Sequence, residues 1–582
     1  MSGFVRSYQS ERQTLSYRQR QLPWGGIGKA TVSIREIRRD CGYHSRVMPK
    51  ITVDGKALEC QDKQMIMQAC DAAGVDVPRY CYHPGLSIVA SCRICLVEVQ
   101  GIPKLVPACQ TPVRDGMVVH ATSTKAIANQ KQVMEYLLIN HPLDCPVCDQ
   151  AGECTLQDYS YQYGRAESRF EEDKAKKPKK QVGEHVLLYS DRCIMCTRCV
   201  RFTREISGTC ELYVDGRGHK EEIDIFPGKP LDNPLSVNVV DLCPVGALLD
   251  KEFLFKQRVW MLSSVPSISP ADSGGENIVI DVNPAENKVY RIKPRTNLQV
   301  NKWWISDATR YSWQAVYSEK RITLARKSQY ATQVQVPFNA ALEAGVQELR
   351  NLVAAGGEGS LYAMLSPMMS CEEAYLLGQA IRQIDPGAVL VLGPVPTEGE
   401  DQVFGHYLTK KETFRIKAEK APNAAGVRRV LALLGGPQVS YDQLVKSETP
   451  ELKKLKGGWI VGGFLKDWLP KEQPAIFKKG YRVVQDILEN SLTAVADVVL
   501  PSAAWCEKDG CWENHAGVIQ AFAAAVTPPG EALTEGRVYL KLLERNQKYN
   551  PAEIRQEMGE PFASVTLPNP RVIAPAMEFV EL

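Results

Sequence analysis

The chain has no run approaching the ~20 uninterrupted apolar residues that a membrane-spanning helix needs. That excludes a transmembrane helix and leaves partner subunits as the route to a membrane. Net charge is scarce too: 70 Lys and Arg against 67 Asp and Glu leave a formal +3, which gives no reason to expect nucleic acid. The first 48 residues lack the apolar core of a secretory signal. Where glycines cluster, at Gly435-Gly436 and Gly462-Gly463, they do not form G-x-G-x-x-G and read as turns. A nicotinamide or flavin site on this chain is therefore not expected. Cysteine thins out sharply after Cys243, where only Cys371, Cys506 and Cys511 remain.

What is present points to several domains, since 582 residues that are 44% hydrophobic exceed one small core. Residues 1–48 hold nine Lys and Arg against three Asp and Glu. They read as a basic, disordered tail or an over-extended start ahead of Met48, and their Arg, Ser and Gln content also permits a mitochondrial presequence. Residues 50–60 read as two strands joined at Asp54-Gly55, a hairpin dipeptide. A helix over 64–73 stops at Gly74, and strands follow at 94–99, 104–109 and 117–120. This is the outline of a β-grasp ferredoxin domain over 49–125. Residues 123–139 read as an amphipathic helix with Ile127, Met134 and Leu138 on one face, opening a segment that runs over 126–170. Residues 171–183 read as a charged linker, and 184–252 as a second cysteine-rich module. After residue 320, short apolar runs at 360–364, 388–392, 430–434 and 496–500 alternate with helical stretches at 338–354 and 372–384, the pattern of a parallel sheet wrapped by helices.

Eleven of the 18 cysteines fall into three groups between Cys81 and Cys243, and His141 stands at ligand spacing beside the middle group. Twelve ligands make three sets of four, the number that an iron–sulfur cluster or a structural zinc takes. CxxC pairs in a long chain without the marks of a small secreted disulfide scaffold point to metal or redox chemistry.

The first set is Cys81, Cys92, Cys95 and Cys109. It has one CxxC where a zinc ribbon shows two knuckles, and so predicts a [2Fe–2S] cluster. The second set is His141, Cys145, Cys148 and Cys154; a zinc site of three thiolates and one imidazole is the rival to a cluster there. A neutral imidazole in place of a thiolate would raise a cluster's potential, as histidine ligation does in Rieske centres. The third set is Cys193, Cys196, Cys199 and Cys243. Two-cluster ferredoxins repeat C-x2-C-x2-C-x3-C-P, each run lending its fourth cysteine to the other cluster. Here Thr203 stands at the fourth position of the first run, and Asn233, Ser236 and Val239 stand where the second run's other three would be. The spacing predicts one [4Fe–4S] cluster on a scaffold built for two. Cys210 is a spare. Cys506 and Cys511 are spaced too widely for a CxxC redox pair, so free thiols are the expectation.

The three sets in this order resemble the large iron–sulfur subunit of NADH:quinone oxidoreductase, respiratory complex I. The phrases that carry the resemblance are SCRICLVEV around Cys92, HPLDCPVCDQAGECTLQD from His141, DRCIMCTRCVRF around Cys196 and DLCPVGAL around Cys243. It is strong over about 49–320 and continues more weakly to about 525. It implies a multidomain α+β and α/β chain: a β-grasp [2Fe–2S] domain, a segment ligated by one histidine and three cysteines, a ferredoxin-like [4Fe–4S] domain, and a C-terminal domain similar to molybdopterin oxidoreductases, shortened here and expected to be cofactor-free. Residues 253–320 resemble the subdomain that in some members holds a further four-cysteine cluster. They contain no cysteine, so that cluster is expected to be absent. The molybdopterin-like domain spans 321–540, and 541–582 is read as a tail.

By the same resemblance, the chain takes electrons from the flavoprotein subunit that oxidises NADH and passes them through one [2Fe–2S] and two [4Fe–4S] clusters to the next iron–sulfur subunit, towards quinone. It would act as part of an enzyme with no catalytic residue of its own, peripheral on the cytoplasmic face of a bacterial inner membrane, or on the matrix side in a mitochondrion. The alternatives are the iron–sulfur subunit of an NAD-linked hydrogenase or formate dehydrogenase complex, and a zinc-stabilised binding module.

Overall fold

The Asp54-Gly55 dipeptide adopts positive φ at both residues, as a two-residue hairpin turn requires. In this computed structural model, which describes residues 48–330, 332–446, 449–469 and 474–567, strand Lys50–Val53 pairs antiparallel with Lys56–Glu59 and parallel with Val118–His120. Leu96–Val99 and Val106–Pro107 complete a five-stranded sheet. Helix Ile66–Ala72 covers it, burying Ile66, Met67, Ala69 and Cys70. A small sheet with one helix over it was expected; its mixture of parallel and antiparallel pairs is added by the structure. The tail expected over 1–48 lies, apart from Met48, outside the described residues.

Helix Thr124–Leu138 starts where Ser123 Oγ accepts the N–H of Ala126 at 3.2 Å. Of the expected face, Met134 is buried and its sulfur accepts the hydroxyl of buried Tyr80 at 3.2 Å, and Leu138 packs partly against the same core. Ile127, two turns before Met134 on that face, is 41% exposed, and Ala126, Gln130 and Val133 are buried beside Met134 instead.

The segment read as a charged linker is partly built into the fold. Strand Lys179–Gln181 pairs with Val186–Tyr189, which in turn pairs with Leu248–Asp250. Lys180 Nζ bonds Glu222 at 3.1 Å and Asp224 at 2.5 Å. Lys174 Nζ donates to the carbonyls of Leu138 and Ile139, a cation placed where the preceding helix exposes its last acceptors. Beyond Asp250, strands Ser263–Ile268, Asn277–Asn283 and Lys288–Pro294 form an antiparallel sheet.

The C-terminal half is an eight-stranded sheet. Its five strands Val498–Pro501, Tyr481–Asp486, Gly457–Val461, Leu361–Leu365 and Val389–Leu392 run parallel, extended by Gln438–Val439. Helices Phe338–Gly356 and Cys371–Ile384 pack on it. Two expectations fail here. The apolar run at 430–434 ends helix Ala424–Leu434 rather than forming a strand, because a short buried run carries no period that separates the two. The presumed tail contains helix Pro551–Met558, whose Arg555 reaches buried Glu372 at 2.5 Å. Gly435 and Gly436 both have positive φ at the end of helix Ala424–Leu434, the turn expected. No described helix is long and apolar enough to cross a membrane.

Candidate metal centres

The first four cysteines come together at the edge of the β-grasp sheet. Cys95 and Cys109 sulfurs stand 3.5 Å apart, and the Cys81 thiol lies within hydrogen-bonding reach of Cys109 and Cys92. Ala90 and Arg93, on either side of Cys92, hold left-handed backbone at φ 51° and 60°. Such turns aim successive N–H groups into one concavity that favours anions. The N–H groups of Cys81 and Ile94 point at Cys92 sulfur, and that of Cys92 at Cys81 sulfur. Hydrogen bonds from Cys109 and Cys92 draw the Cys81 thiol far down, while Cys109 is pushed up by Cys81 and Cys95 and by burial. Four crowded thiols of this kind hold their charge easily only round a cationic core.

In the second set Cys148 and Cys154 are buried and Cys145 is exposed. Gly246 abuts this site, since a Cβ there would stand 2.2 Å from Cys148 sulfur. Pro244 O accepts the N–H of Thr155 at 3.1 Å beside Cys154. The turn after Cys243 thus forms a wall of the second site. Burial first, then Arg192 and Lys174, brings His141 down to about 4. Its imidazole is neutral at physiological pH, the form that binds metal. Among the described residues no bond joins the ring to the three thiols; Asp144, which precedes Cys145, is among the charges that act on it.

Cys193, Cys196, Cys199 and Cys243 line one pocket with Ile223 and Leu248. Met195 and Thr197 adopt φ 51° and 57°, and Met195 N–H meets Cys193 sulfur at 3.4 Å. The N–H groups of Val245, Ala247 and Leu248 converge on Cys243. Burial pushes all four thiols up, Cys193 to about 12 and Cys196 to about 11. An apolar pocket with four thiols and inward N–H groups suits an iron–sulfide core, whose positive irons offset the cost of thiolate burial. Among the described residues, no three His, Cys, Asp or Glu side chains close on a single point as one isolated metal ion requires.

The four positions that a two-cluster ferredoxin would fill with cysteine hold other side chains. Thr203, Asn233, Ser236 and Val239 are all buried. Thr203 Oγ1 donates to Val200 O at 3.0 Å, Asn233 Nδ2 to Glu211 at 3.0 Å, and Ser236 Oγ to Asp307 at 2.7 Å. Cys210 lies apart, among Lys229, Arg204 and Glu211.

Sequence reasoning missed the arginines between the sites. On helix Arg198–Glu205, Arg201 Nη2 donates to the carbonyls of Cys81 and Cys196, while Arg198 reaches Tyr82 O at 2.7 Å and Leu242 O at 3.3 Å. Their i, i+3 spacing directly after the third CxxC was the available signal. Among the remaining cysteines, Cys511 meets Cys371 rather than Cys506, and both are buried.

Family models match the chain in the order of its modules. They are a 2Fe-2S iron-sulfur cluster binding domain over 48–124, an NADH-ubiquinone oxidoreductase-G iron-sulfur binding region over 130–169, and the ferredoxin-like domain of NADH-quinone oxidoreductase subunit 3 over 183–249. An NDSU1/NuoG-like 4Fe-4S domain follows over 262–314, and a molybdopterin oxidoreductase domain over 443–545. The 78 kDa subunit of Neurospora crassa NADH-ubiquinone oxidoreductase is 46% identical over 281 residues, 48% of this chain and 38% of that protein. The 75 kDa subunit of Reclinomonas americana is 38% identical over 62% of this chain and 52% of its own length. The matches thus span about half or less of these two relatives. A chain of an NAD+-reducing [NiFe]-hydrogenase crystal structure, 28% identical, covers 36% of this chain and 91% of its own with a TM-score of 0.33, too loose a superposition to bear on the fold. The NuoG-type subunit of Rickettsia felis NADH-quinone oxidoreductase is 30% identical over 83% of this chain and 86% of its own length. With a relative aligned through nearly its whole length and each module in register, the chain belongs to the NuoG family of NADH-quinone oxidoreductase subunits.

Proposed function

We propose that this chain is an electron relay within an NADH:quinone oxidoreductase, receiving electrons from an NADH-oxidising flavoprotein subunit and delivering them to further iron–sulfur subunits towards quinone. The observation that carries the reading is that Cys81, Cys154, Cys196 and Cys199, drawn from all three sets, belong to one continuous apolar core. Iron–sulfur clusters held by such thiolates supply one-electron carriers. Cys81, Cys92, Cys95 and Cys109 are the ligands of a [2Fe–2S] cluster. His141, Cys145, Cys148 and Cys154 hold one [4Fe–4S] cluster, and Cys193, Cys196, Cys199 and Cys243 another. The protein excludes water from this core and aims N–H donors at the sulfurs, which tunes the potentials. Exposed Cys145, with exposed Leu143 and Val147 beside it, offers an accessible edge for a partner.

Residues 262–314 match a 4Fe–4S domain yet hold no cysteine, which supports the absence of a fourth cluster. The C-terminal domain serves as scaffold without molybdenum. Association with a membrane is indirect, through the complex, on the cytoplasmic face in a bacterium or the matrix side in a mitochondrion.

Cys196→Ala tests the relay. It is expected to remove one [4Fe–4S] signal in low-temperature electron paramagnetic resonance and to stop NADH from reducing the downstream acceptor in the assembled complex. Acceptor reduction that survived intact would end the relay reading. A stoichiometric amount of molybdenum or tungsten on elemental analysis would end the scaffold reading.

A further inference from the structure

Two thiols outside the three cysteine sets stand together in the core of the C-terminal half. Cys371 opens helix Cys371–Ile384, and Cys511 lies far later in the chain, in strand Gly510–Glu513. Both are fully buried in one apolar cluster, and the Cys511 thiol lies within hydrogen-bonding reach of Cys371. Cys506 packs elsewhere, in a cluster with Trp505 and Phe522.

The approach of the two segments is built in. A Cβ at Gly510 would lie 2.4 Å from the Ser370 Cβ, so the strand begins directly on the residue that caps the helix. One residue on, the N–H of Cys511 donates to Glu372 Oε2 at 2.9 Å, and Arg555 holds Oε1 of that carboxylate at 2.5 Å. The indole N–H of Trp512 then donates to Met369 O at 3.1 Å. Three successive strand residues are thus pinned across the start of the helix, which sets Cys511 opposite Cys371.

The surroundings of the two sulfurs differ. The Asn423 amide is oriented by Met369 O and by the N–H of Glu513, both at 2.8 Å. It places its oxygen and its nitrogen each 3.5 Å from the Cys371 sulfur. A Cβ at Gly426 would fall 2.6 Å from that sulfur, so helix Ala424–Leu434 closes the remaining side. Burial first, then the contact with Cys371, pushes the Cys511 thiol well up. Cys511 is therefore the proton donor of the pair and the Cys371 sulfur its acceptor.

We propose that Cys371 and Cys511 form a reversible oxidation site, which hydrogen peroxide converts to a disulfide tying the helix to the strand. The Cys371 sulfur attacks one peroxide oxygen, the O–O bond breaks, and a water leaves with the thiol's proton, giving a sulfenic acid. The Cys511 sulfur attacks that sulfur, the S–S bond forms, and the hydroxyl leaves as a second water with the Cys511 proton. The two thiols lose two electrons and two protons, and one peroxide becomes two waters. Burial makes the first step wait on local opening, which admits a molecule as small as peroxide before any bulky thiol reagent. The adjacent thiol then captures the sulfenic acid intramolecularly, and added dithiol reverses the bond by exchange.

The full chain, purified anaerobically, is held with hydrogen peroxide, unfolded in iodoacetamide to block free thiols, and digested with trypsin without reductant. Cleavage after Arg350, Arg382, Lys508 and Arg537 puts Cys371 in peptide 351–382 and Cys511 in peptide 509–537, apart from Cys506. Any thiols that peroxide frees from the three cysteine sets fall in other peptides. Mass spectrometry should find these two peptides joined, lighter than their sum by two hydrogens, and separated again by dithiothreitol. The C-terminal half of the oxidised chain should unfold at higher urea, because the cross-link restricts the unfolded chain. Cys506→Ser should keep both changes, and Cys511→Ser should lose both. Recovery of both peptides singly alkylated after peroxide, a link from Cys511 to Cys506, or sulfinic acid at Cys371 without a link overturns the proposal. None of these results touches the relay reading, which rests on other cysteines.

Discussion

Arg201 donates its Nη2 protons to the backbone carbonyl of Cys81, across the boundary between the β-grasp and ferredoxin-like modules. The same nitrogen reaches the carbonyl of Cys196 at 3.3 Å, and Nη1 reaches that of Ser87 at 2.5 Å. A buried cation is thereby fixed between the first and third cysteine sets. If both sets hold clusters, as proposed, removing it takes positive charge away from two centres that gain electrons, which disfavours their reduction. Arg201→Gln is expected to lower the midpoint potentials of both centres and leave the second set's centre nearly unmoved, as read by redox titration under paramagnetic resonance. Equal shifts at all three centres would contradict this geometry.

Gly246 makes a sharper test. Cys148 sulfur stands where an alanine's methyl would sit, 2.2 Å away, and if that sulfur is a cluster ligand, as proposed, a contact under 3 Å has no room to relax. Gly246→Ala should cost the second centre its signal, together with four irons per chain if the site holds a [4Fe–4S] core. The first centre should remain, because none of its ligands touches this turn.

Spacing made the grouping of Cys193, Cys196, Cys199 and Cys243 in one pocket legible, because the run Cys193–Cys196–Cys199 is local and Cys243 is marked by the proline after it. The β-grasp outline was legible for the same reason: Asp54-Gly55 dictates its own turn. What spacing does not carry is contact between distant segments. Gly246 against Cys148, Arg201 under Cys81, and Cys371 beside Cys511 each join segments that only the folded chain brings together. Ile127 shares its face with buried Met134 yet is exposed, because helical period gives a stripe but not how far along it the neighbouring segments reach. The run at 430–434 was misread because a buried strand and a buried helix end have the same apolar composition.

His141 can be tested by adding charge. If its neutral ring completes the second set, His141→Cys supplies a fourth thiolate, makes the site more negative and favours its oxidised form. The expected result is a fall in that centre's potential on the order of 100 mV or more, with iron content preserved. An unchanged potential and line shape would remove His141 from the ligand set.

Glu276 predicts a pH dependence of stability. It is buried, accepts from the N–H of Ser306 at 3.2 Å, and is pushed up from 4.5 to about 8, by burial first and then by Asp272. The folded chain therefore keeps a proton on Glu276 that the unfolded chain releases near pH 4.5. The stability this contributes is present in full below that value and is lost as pH rises towards about 8, at up to about 1.4 kcal/mol per unit. Glu276→Gln is neutral throughout and lacks that slope. The difference in Tm between Glu276→Gln and the parent should move in the variant's favour from about pH 5.5 to about pH 8. A constant difference would show that Glu276 is not protonated in the fold.

The C-terminal half holds a buried charge cluster that separates scaffold from relay. Lys508 Nζ bonds Glu373 at 2.9 Å and Glu535 at 3.0 Å, and all three residues are buried. It ties the segment after Val498–Pro501 to helices Cys371–Ile384 and Glu535–Leu542. Removing one partner from a buried ion cluster leaves the others uncompensated, at a cost of about 3–5 kcal/mol. Lys508→Met should make the C-terminal half unfold at lower urea and yield earlier to protease, while all three cluster signals persist in the undigested chain. Electron transfer in the assembled complex should then fall only as far as assembly falls. Loss of a cluster signal in Lys508→Met under native conditions would mean that the C-terminal half does more than support the relay.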